Sequence, residues 1–533
     1  MKTLSSVVVF TAAALLVASS ARSETGEVAV TGGRVSGVTA NGVTSYKGIP
    51  FAAPPVGELR WKAPQPVKPW TGVKDGSKFG PACMQDANMA RVFNAPPEFS
   101  EDCLYLNVWT PAKSASDALP VMVWIYGGGF VGGQTSVPAY DGMHLAQKGV
   151  VLVSVAYRLG VFGFMAHPEL SHESDKGSGN YGLQDQIAGL QWVKANIAKF
   201  GGNPNRVTIF GESAGGMSVS MLAASPAAKG LFQGVISESG GSFGGPKSAN
   251  EGGMTVPPLR VAEASGKRFL EKLGATDIKS ARAIGADKLQ AALGPGLQLT
   301  FWPVFDGDVL PNDQYELYQA KRFNDTPILV GTNSDEGGLF VQPGSTPARF
   351  EQFVRGGFGK GADAILAAYP HATDSEADKA GRDLMRESTF AWHTWAWAML
   401  QSEKGKSKAY VYYYDHRTPQ QPNGAGHGSE IGYVFGTITA MPTLSAVPAT
   451  PSRPEDEKLS ELIMSYWTNF AKRFDPNGAG LPQWPAFSPA DQRVMLFDDV
   501  MPGARPVPNI TQIKALDGYY AWRRDEAKAK TAR

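Results

Sequence analysis

RVTIFGESAGGMSVSMLAA, residues 206–224, is the stretch that decides the fold of this chain. Residues 206–210 form a short apolar run with β-branched side chains, which is typical of a buried strand. The pattern G-x-S-x-G follows at once at residues 211–215, and small residues suited to a closely packed helix come next. A strand, a sharp turn flanked by glycines and a helix together form a nucleophile elbow. The stretch therefore predicts that Ser213 is a nucleophile rather than an ordinary helix N-cap.

The same pattern occurs a second time, as GGSFG at residues 240–244. With 61 glycines in the chain, about one chance match is expected, so the pattern alone carries little weight. The second match leads into Gly245, Pro246 and a polar loop rather than a helix. Its context predicts that Ser242 is a loop serine.

Other apolar runs on both sides of the elbow predict the rest of the sheet. They lack the alternation of a half-exposed strand, which indicates a sheet covered on both faces. These runs are residues 119–125, 150–156, 234–237, 327–331 and 408–414. Residues 183–199, between the second and third of these runs, show helical periodicity, as do residues 455–473, which follow the last run. Alternating strands and helices predict an α/β fold with a large, mostly parallel sheet flanked by helices. Together with the elbow, they indicate the α/β-hydrolase arrangement.

The chain outside these strands and helices is predicted to belong to the same domain, as inserts. Residues 24–533 are predicted to form a single catalytic domain, with inserts at about 245–300 and 340–405 that form a helical cap or the wall of a gorge.

A run of three glycines at the end of the predicted strand 119–125 supplies candidate hydrogen-bond donors. Acyl transfer needs N–H groups for the negative oxygen that develops on the carbonyl. Glycines at a strand end let backbone N–H groups approach a substrate without an intervening side chain. Gly128, Gly129 and the N–H of Ala214 are the predicted donors.

The base must come from seven histidines, because a serine hydroxyl needs a partner that accepts its proton. In this fold the nucleophile, acid and base follow in that chain order, so the four histidines after Ser213 are the candidates. His427 is favoured because it lies in a glycine-rich loop, residues 423–430, shortly after a predicted strand. His416 follows the same strand more closely, while His371 and His393 fall in the predicted cap.

The acid should follow the strand at residues 327–331. Asp335 and Glu336 are neighbours there, and both are eligible. Asp306 is a third candidate, and residue chemistry alone does not choose among them.

Composition and the N-terminus bear on compartment and partners. The net charge is +1 among 533 residues, which gives no reason to expect nucleic acid or an anionic membrane as a partner. Lys2, an apolar run at residues 7–17 and small residues after it predict a signal peptide at 1–23, cleaved near 21–23. No later segment is apolar enough to anchor the chain in a membrane. The protein is therefore predicted to be secreted or periplasmic.

Export makes the two cysteines informative. Cys83 and Cys103 are the only cysteines of the chain, so in an oxidising compartment each has one possible partner. Two buried thiols are the alternative. No histidine lies near either cysteine, so no metal is expected, and a serine mechanism needs no cofactor.

Longer motifs give the chain a family resemblance. YKGIPFA at residues 46–52, EDCLYLN at 101–107, FGESAGG at 210–216 and QWP at 483–485 resemble the type-B carboxylesterases, over nearly the whole mature chain. The resemblance implies a serine esterase acting on small-molecule esters. Its D-E-G motif implies Glu336 as the acid, and its H-G-x-E motif implies His427 as the base.

The resemblance also implies features of structure and specificity. It implies a disulfide between Cys83 and Cys103, and ion pairs between Arg60 and Glu101 and between Arg158 and Asp185. The cholinesterases that this chain resembles place a choline-binding tryptophan in the loop between these cysteines. The loop contains no tryptophan here, so the resemblance implies that choline esters are not the substrates. Lactone, thioester, amide or polyester cleavage by the same triad is an alternative, as is a binding role without catalysis. Five aromatic residues are expected either to line an acyl pocket or to pack in the core: Phe301, Trp302, Phe305, Trp392 and Trp395.

Overall fold

An eleven-stranded sheet with parallel strands at its centre organises the molecule. The computed structural model describes residues 26–93, 96–245, 255–295, 298–440, 452–499 and 501–531. The predicted signal peptide, residues 1–23, lies outside the described residues.

The strands have the following bounds in chain order: β1 Glu27–Val30, β2 Gly33–Ser36, β3 Val38–Ala40, β4 Val43–Pro50, β5 Val73–Asp75, β6 Ala82–Cys83, β7 Phe99–Ser100, β8 Tyr105–Thr110, β9 Leu119–Ile125, β10 Val151–Val155, β11 Gly202–Glu212, β12 Gly234–Glu238, β13 Ile328–Asn333, β14 Ala409–Tyr414, β15 Arg493–Phe497 and β16 Gly503–Pro506. The large sheet has the order β16-β15-β14-β13-β12-β11-β9-β10-β8-β4-β3.

The α-helices have the following bounds in chain order: α1 Ala87–Val92, α2 Met143–Gln147, α3 Gly160–Phe164, α4 Pro168–Ser174, α5 Tyr181–Asn196, α6 Ala214–Ala224, α7 Leu259–Lys272, α8 Ile278–Arg282, α9 Ala286–Ala291, α10 Gln314–Gln319, α11 Pro347–Phe358, α12 Ala362–Ala368, α13 Asp374–Arg386, α14 Trp392–Lys404, α15 Ile431–Phe435, α16 Pro454–Arg473 and α17 Ile510–Thr531. A π-helical turn, Glu387–Ala391, joins α13 to α14.

The apolar runs form the centre of the sheet, as predicted. Strands β10, β9, β11, β12, β13, β14 and β15 pair in parallel in that order. Every residue of β10, β12 and β13 is buried, because helices cover both faces of a parallel sheet. The predicted α/β-hydrolase fold is therefore confirmed.

The two edges of the sheet are antiparallel and were not predicted. The strands β8, β4 and β3 extend one edge, and β16 extends the other. In β4, buried residues are interspersed with partly exposed ones. A strand with one covered face lacks the continuous apolar run by which the central strands are identified.

Helices occupy both of the ranges that the sequence singled out as inserts. In the described part of residues 245–300 lie α7, α8 and α9, and residues 340–405 hold α11 to α14. The second range also contains the π-helical turn. None of the helices in the described ranges is both long and apolar enough to cross a membrane.

Three covalent or ionic links brace the part of the chain before the elbow. A disulfide joins Cys83 to Cys103. The Arg60 guanidinium donates to both carboxylate oxygens of Glu101 at 2.6 Å. The Arg158 guanidinium makes the equivalent two bonds with Asp185 at 2.8 Å, and both side chains are buried. Both ion pairs that the sequence implied are therefore present, and neither lies among the groups around Ser213.

Candidate active site

The turn that presents Ser213 is tightly packed against the neighbouring strand. Ser213 has φ 56° and ψ −122°, a backbone conformation that is rare for a residue with a side chain. A Cβ atom on Gly215 would lie 2.0 Å from the Ile125 carbonyl oxygen, and one on Gly211 would lie 2.5 Å from the same oxygen. Both flanking positions therefore require glycine, and the turn projects Ser213 from the carboxyl end of β11.

The chain at the elbow is fixed from both sides. The Ser213 N–H donates to the Glu238 carbonyl at the end of β12 at 2.9 Å, and the Ser213 carbonyl accepts from the Met217 N–H at 2.8 Å. The strained turn is thus held by the sheet on one side and by α6 on the other.

A continuous series of hydrogen bonds joins Ser213, His427 and Glu336. The His427 Nε2 lies 2.9 Å from Ser213 Oγ, and the His427 Nδ1 lies 2.5 Å from Glu336 Oε2. Glu336 follows β13, and His427 lies in the loop between β14 and α15. The carboxyl ends of parallel strands lie at one edge of the sheet, so residues more than 200 positions apart meet there.

Glu336 is itself anchored at the second oxygen of its carboxylate. Glu336 Oε1 accepts from the Ser239 hydroxyl at 2.5 Å and from the Asn333 N–H at 2.7 Å. Glu336 is fully buried. Its carboxylate therefore has one fixed orientation, with one oxygen directed at His427.

The other candidate acids have different partners. Asp335 lies 3.2 Å from the Arg382 guanidinium, and its N–H donates to the Ala425 carbonyl. Asp306 accepts backbone N–H groups of its own loop, including that of Leu310 at 2.9 Å.

The other candidate bases also have partners elsewhere. His416 Nε2 lies 2.6 Å from an oxygen of Asp456, and His393 Nδ1 accepts from the Phe243 N–H. His371 Nδ1 lies 2.6 Å from the Tyr369 carbonyl oxygen. Ser242, the serine of the second pattern match, is buried between Gly241 and Phe243.

The three predicted donor residues border the same space as Ser213. Gly128 has φ 104° and Gly129 has φ 62°, and a Cβ on Gly128 would lie 2.4 Å from the Gly132 carbonyl oxygen. Within the described residues, neither glycine N–H donates to a protein acceptor. Ala214 is the first residue of α6, where a backbone N–H has no partner within the helix. All three N–H groups are available to a negative oxygen near Ser213.

A cavity of about 870 Å³ opens onto Ser213, a size usual for sites that take a small organic ligand. Three separate segments of the chain supply much of its wall. Their lining residues are, for the first segment, Met89, Val92 and Phe93; for the second, Gly338, Leu339, Phe340, Val341 and Pro343; and for the third, Thr418, Pro419, Gln420, Gln421, Pro422, Asn423 and Gly424. The first segment lies within the disulfide loop. Of the five aromatic residues considered for an acyl pocket, Trp302 lines this cavity, while Phe301 and Trp392 are buried in the core and Phe305 and Trp395 pack against it.

Three further buried carboxyl groups surround the hydrogen-bonded series of Ser213, His427 and Glu336. Glu212 Oε1 lies 3.3 Å from His427 Nε2. Glu238 accepts from the Trp467 indole N–H at 2.8 Å, and Glu430 accepts from the Asn333 side-chain amide. None of these three glutamates was predicted from the sequence. The sequence features that could have indicated them are the motifs and the strand in which they lie. Glu212 is in FGESAGG, Glu430 ends the H-G-x-E motif, and Glu238 is the last residue of β12.

Burial and mutual repulsion change the protonation of these groups. Burial raises the pKa of Glu212 to about 7 and that of Glu238 to about 8. Burial, with the charges of the other three carboxyls, raises the pKa of Glu430 well above its ordinary value. Burial by itself lowers the pKa of His427, but the charges of Glu212 and Glu336 outweigh it and raise that pKa to about 9. The site thus favours a positively charged imidazole, which an acyl transfer forms on its path.

No arrangement for a metal is present in the described ranges, where no three histidine, cysteine, aspartate or glutamate side chains are grouped as ligands. Chemically, the arrangement can remove a proton from a hydroxyl, hold a negative oxygen and return the proton to a leaving group.

Comparison with known proteins gives consistent matches over most of the chain. The model of the carboxylesterase family matches residues 24–509. A fumonisin B1 esterase of Sphingopyxis macrogoltabida is 38% identical over 472 residues, covering 85% of this chain and 83% of that protein. A para-nitrobenzyl esterase of Bacillus subtilis is 37% identical over 476 residues, covering 87% and 93%. A solved PNB esterase structure superposes with a TM-score of 0.80 at 34% identity, covering 92% of this chain and 99% of the other.

Proposed function

The chain belongs to the carboxylesterase family and is a carboxylic ester hydrolase, and we propose that it cleaves its ester through a Ser213–His427–Glu336 triad and an acyl-enzyme intermediate. The observation that carries the proposal is the hydrogen-bonded chain from Ser213 Oγ to His427 at 2.9 Å and on to Glu336 at 2.5 Å, at the floor of the cavity. Those distances suit proton transfer at both ends of the imidazole.

The first half of the reaction forms the acyl-enzyme. Ser213 Oγ attacks the ester carbonyl carbon while His427 Nε2 takes the hydroxyl proton. The carbonyl oxygen becomes negative and accepts hydrogen bonds from the N–H groups of Gly128, Gly129 and Ala214. The intermediate collapses, the bond to the alcohol oxygen breaks, and His427 gives its proton to that oxygen.

The second half repeats these steps with water. Water attacks the acyl carbonyl carbon and gives a proton to His427, and the acid leaves as Ser213 Oγ takes the proton back. Glu336 holds Nδ1 of the imidazole, orients the ring and stabilises its charged form. The chemistry needs no cofactor, and the ligand that the cavity suits is a small-molecule ester.

A para-nitrophenyl ester series from acetate to palmitate tests the reaction, with an organophosphate as a covalent probe. We expect turnover that stops when one equivalent of the probe labels Ser213, and a chain-length profile limited by the cavity. The Ser213→Ala variant should lose about 10³-fold or more of kcat, because the remaining donors and binding retain only a residual rate.

The second pattern match supplies the control for this test. Ser242 belongs to the same G-x-S-x-G pattern but has no hydrogen bond to a histidine among the described residues. The Ser242→Ala variant should therefore keep wild-type turnover and labelling. A Ser213→Ala protein that folds and still turns over substrate would refute the assignment.

We also propose that residues 1–23 direct export and are removed near 21–23, leaving one catalytic domain in the periplasm or medium. The disulfide between Cys83 and Cys103 supports an oxidising compartment. N-terminal sequencing of the exported protein is the test, and a mature protein that still begins at Met1 would refute it.

A further inference from the structure

The π-helical turn Glu387–Ala391 brings a phenylalanine ring against the imidazole of His427. The ring centroids of Phe390 and His427 lie 4.7 Å apart with an angle of 27° between the planes, which is a stacked arrangement. Phe390 is fully buried and is not among the residues that line the cavity in the described part of the chain. It therefore contacts His427 from a side that a substrate does not reach.

The turn that carries Phe390 is firmly held by a buried polar cluster. The Arg386 guanidinium donates to Glu387 at 2.8 Å and to the Tyr413 hydroxyl, on β14, at 2.9 Å. Glu387 also accepts from the Tyr369 hydroxyl and from the Asn509 side chain. This cluster fixes the turn to the strand that leads into the His427 loop.

A π-helical turn changes which side chains face the site. It adds a residue to an α-helical path, and each residue of an α-helix rotates the next side chain by about 100°. A regular helix from α13 to α14 would therefore direct position 390 elsewhere. Such turns are often found at functional sites, and here the turn sets the direction of one buried aromatic ring.

The backbone around His427 offers little rigidity of its own. Glycines stand at positions 424, 426 and 428, on both sides of the histidine, and Gly424 and Gly428 have positive φ values. Phe340 meets the imidazole edge-on with centroids 5.5 Å apart, and it lines the cavity. Of the two phenylalanines in contact with the imidazole, Phe390 is the one that is removed from the substrate.

We propose that Phe390 is a positioning residue for the triad, held by the π-helical turn so that its ring limits rotation of the His427 imidazole between Ser213 Oγ and the leaving-group oxygen. This inference rests on the proposed function. Nε2 must serve two oxygens in turn, and small errors in the placement of a reacting group cost large factors in rate. A flat ring stacked on the imidazole permits motion within its plane and resists tilting out of it.

Stacking also has an electrostatic effect. The face of an aromatic ring carries partial negative charge and favours a cation placed over it. Phe390 should therefore favour the imidazolium of His427, adding to the effect of Glu212 and Glu336 beside the ring. The removal of the ring should move the acidic limb of the kcat/KM profile toward lower pH by about half a unit.

Variants without the ring test the proposal. Phe390→Leu and Phe390→Met keep an apolar side chain of similar size, so one of them serves if the other fails to fold. We expect kcat to fall about tenfold, KM to stay within about twofold, and the acidic limb to shift as stated. Phe390→Tyr keeps the ring and should retain most of the wild-type kcat.

Phe350 offers a matched control. It is nearly as buried as Phe390, at 2% exposure against 0%, and its ring lies 5.2 Å from that of His371, a histidine outside the site. Phe350→Leu should lower the thermal stability to a similar extent but leave kcat and the pH profile unchanged. The charged groups around the imidazole remain the same in all variants: Glu212 and Glu336 act on it directly, and Glu238, Glu430 and Arg386 act on those two carboxyls.

Each result has one meaning. If a folded ringless variant keeps the wild-type kcat and pH profile, or if Phe350→Leu reproduces the loss, the positioning role is wrong while the triad stands. If the wild-type protein shows neither turnover nor labelling of Ser213, the proposed function itself has failed.

Discussion

The substitution Glu212→Gln isolates the influence of one buried charge on the proposed base. Glu212 Oε1 lies 3.3 Å from His427 Nε2, and glutamine has nearly the same volume but no charge. Loss of a negative charge beside the imidazole makes its protonated form less favourable, so the pKa of His427 falls. The neutral, proton-accepting form then persists to lower pH, and the acidic limb of kcat/KM should move in the same direction.

The size of the shift follows from the geometry. Two unit charges 3.3 Å apart interact with about 5 kcal/mol at an effective dielectric constant of about 20, which corresponds to roughly 3–4 pH units. Glu212 has a pKa of about 7, so it is almost fully ionised where His427 titrates. Glu336 remains and continues to raise the pKa of His427, which is about 9 in the intact site. We expect a shift of about three pH units toward acid.

The assay is kcat/KM for a soluble para-nitrophenyl ester between pH 5 and pH 10, whose acidic limb reports the free enzyme. Asp306→Asn is the control, because burial also raises the pKa of Asp306, to about 6, and the groups that act on it, Leu310, Asn180 and Asp308, lie outside the proposed triad. That variant should keep the wild-type limb. An unchanged limb in Glu212→Gln, or one displaced to higher pH, would show that the charge of Glu212 does not act on the base.

Two further predictions concern stability. Burial raises the pKa of Glu238 to about 8, so the folded state binds its proton more tightly than the unfolded chain, and the protein loses stability as pH rises from about 4.5 to about 8. Glu238→Gln should therefore gain on the order of 3 kcal/mol over the wild type between pH 5 and pH 8.5, measured by denaturant unfolding at both values; an equal difference at both would contradict this. Replacing Cys83 and Cys103 together by serine should lower the free energy of unfolding by about 3 kcal/mol, since the bridge joins residues 20 positions apart. Reductant should bring the wild type to the same value, and a wild type that stays unchanged after full reduction would count against it.

The sequence predicted the central sheet well because the evidence for it is local. The runs 119–125 in β9 and 327–331 in β13 are apolar without interruption, and Ser154 is the one polar residue of the run 150–156 in β10. The elbow combines a strand, a glycine-flanked serine and a helix within about twenty residues. The antiparallel edge around β4 was missed, because partly exposed residues interrupt its apolar pattern.

The choice between Asp335 and Glu336 shows where local evidence ends. The two residues are adjacent and chemically alike, and they differ in what surrounds them. Glu336 meets Ser239 and His427, while Asp335 meets Arg382. The residues alone left both open, and only the family resemblance favoured Glu336.

The burial of Glu212 and the contact of Phe390 could not be predicted for the same reason. Burial of Glu212 depends on strands and loops far away in the chain. The direction of Phe390 depends on a single irregular turn, and no periodicity in the sequence marks that turn.

The cavity described above and the proposed triad share two segments of the chain. Leu339 lies in the same short 3-10 helix as Glu336, residues 336–339, and Gln421 lies in the same loop as His427, between β14 and α15. Met89 differs, because it lies on α1 within the disulfide loop, far along the chain from all three residues. A change of substrate that leaves the reaction intact is therefore expected first in the wall around Met89, whereas substitutions in the other two walls should also cost turnover.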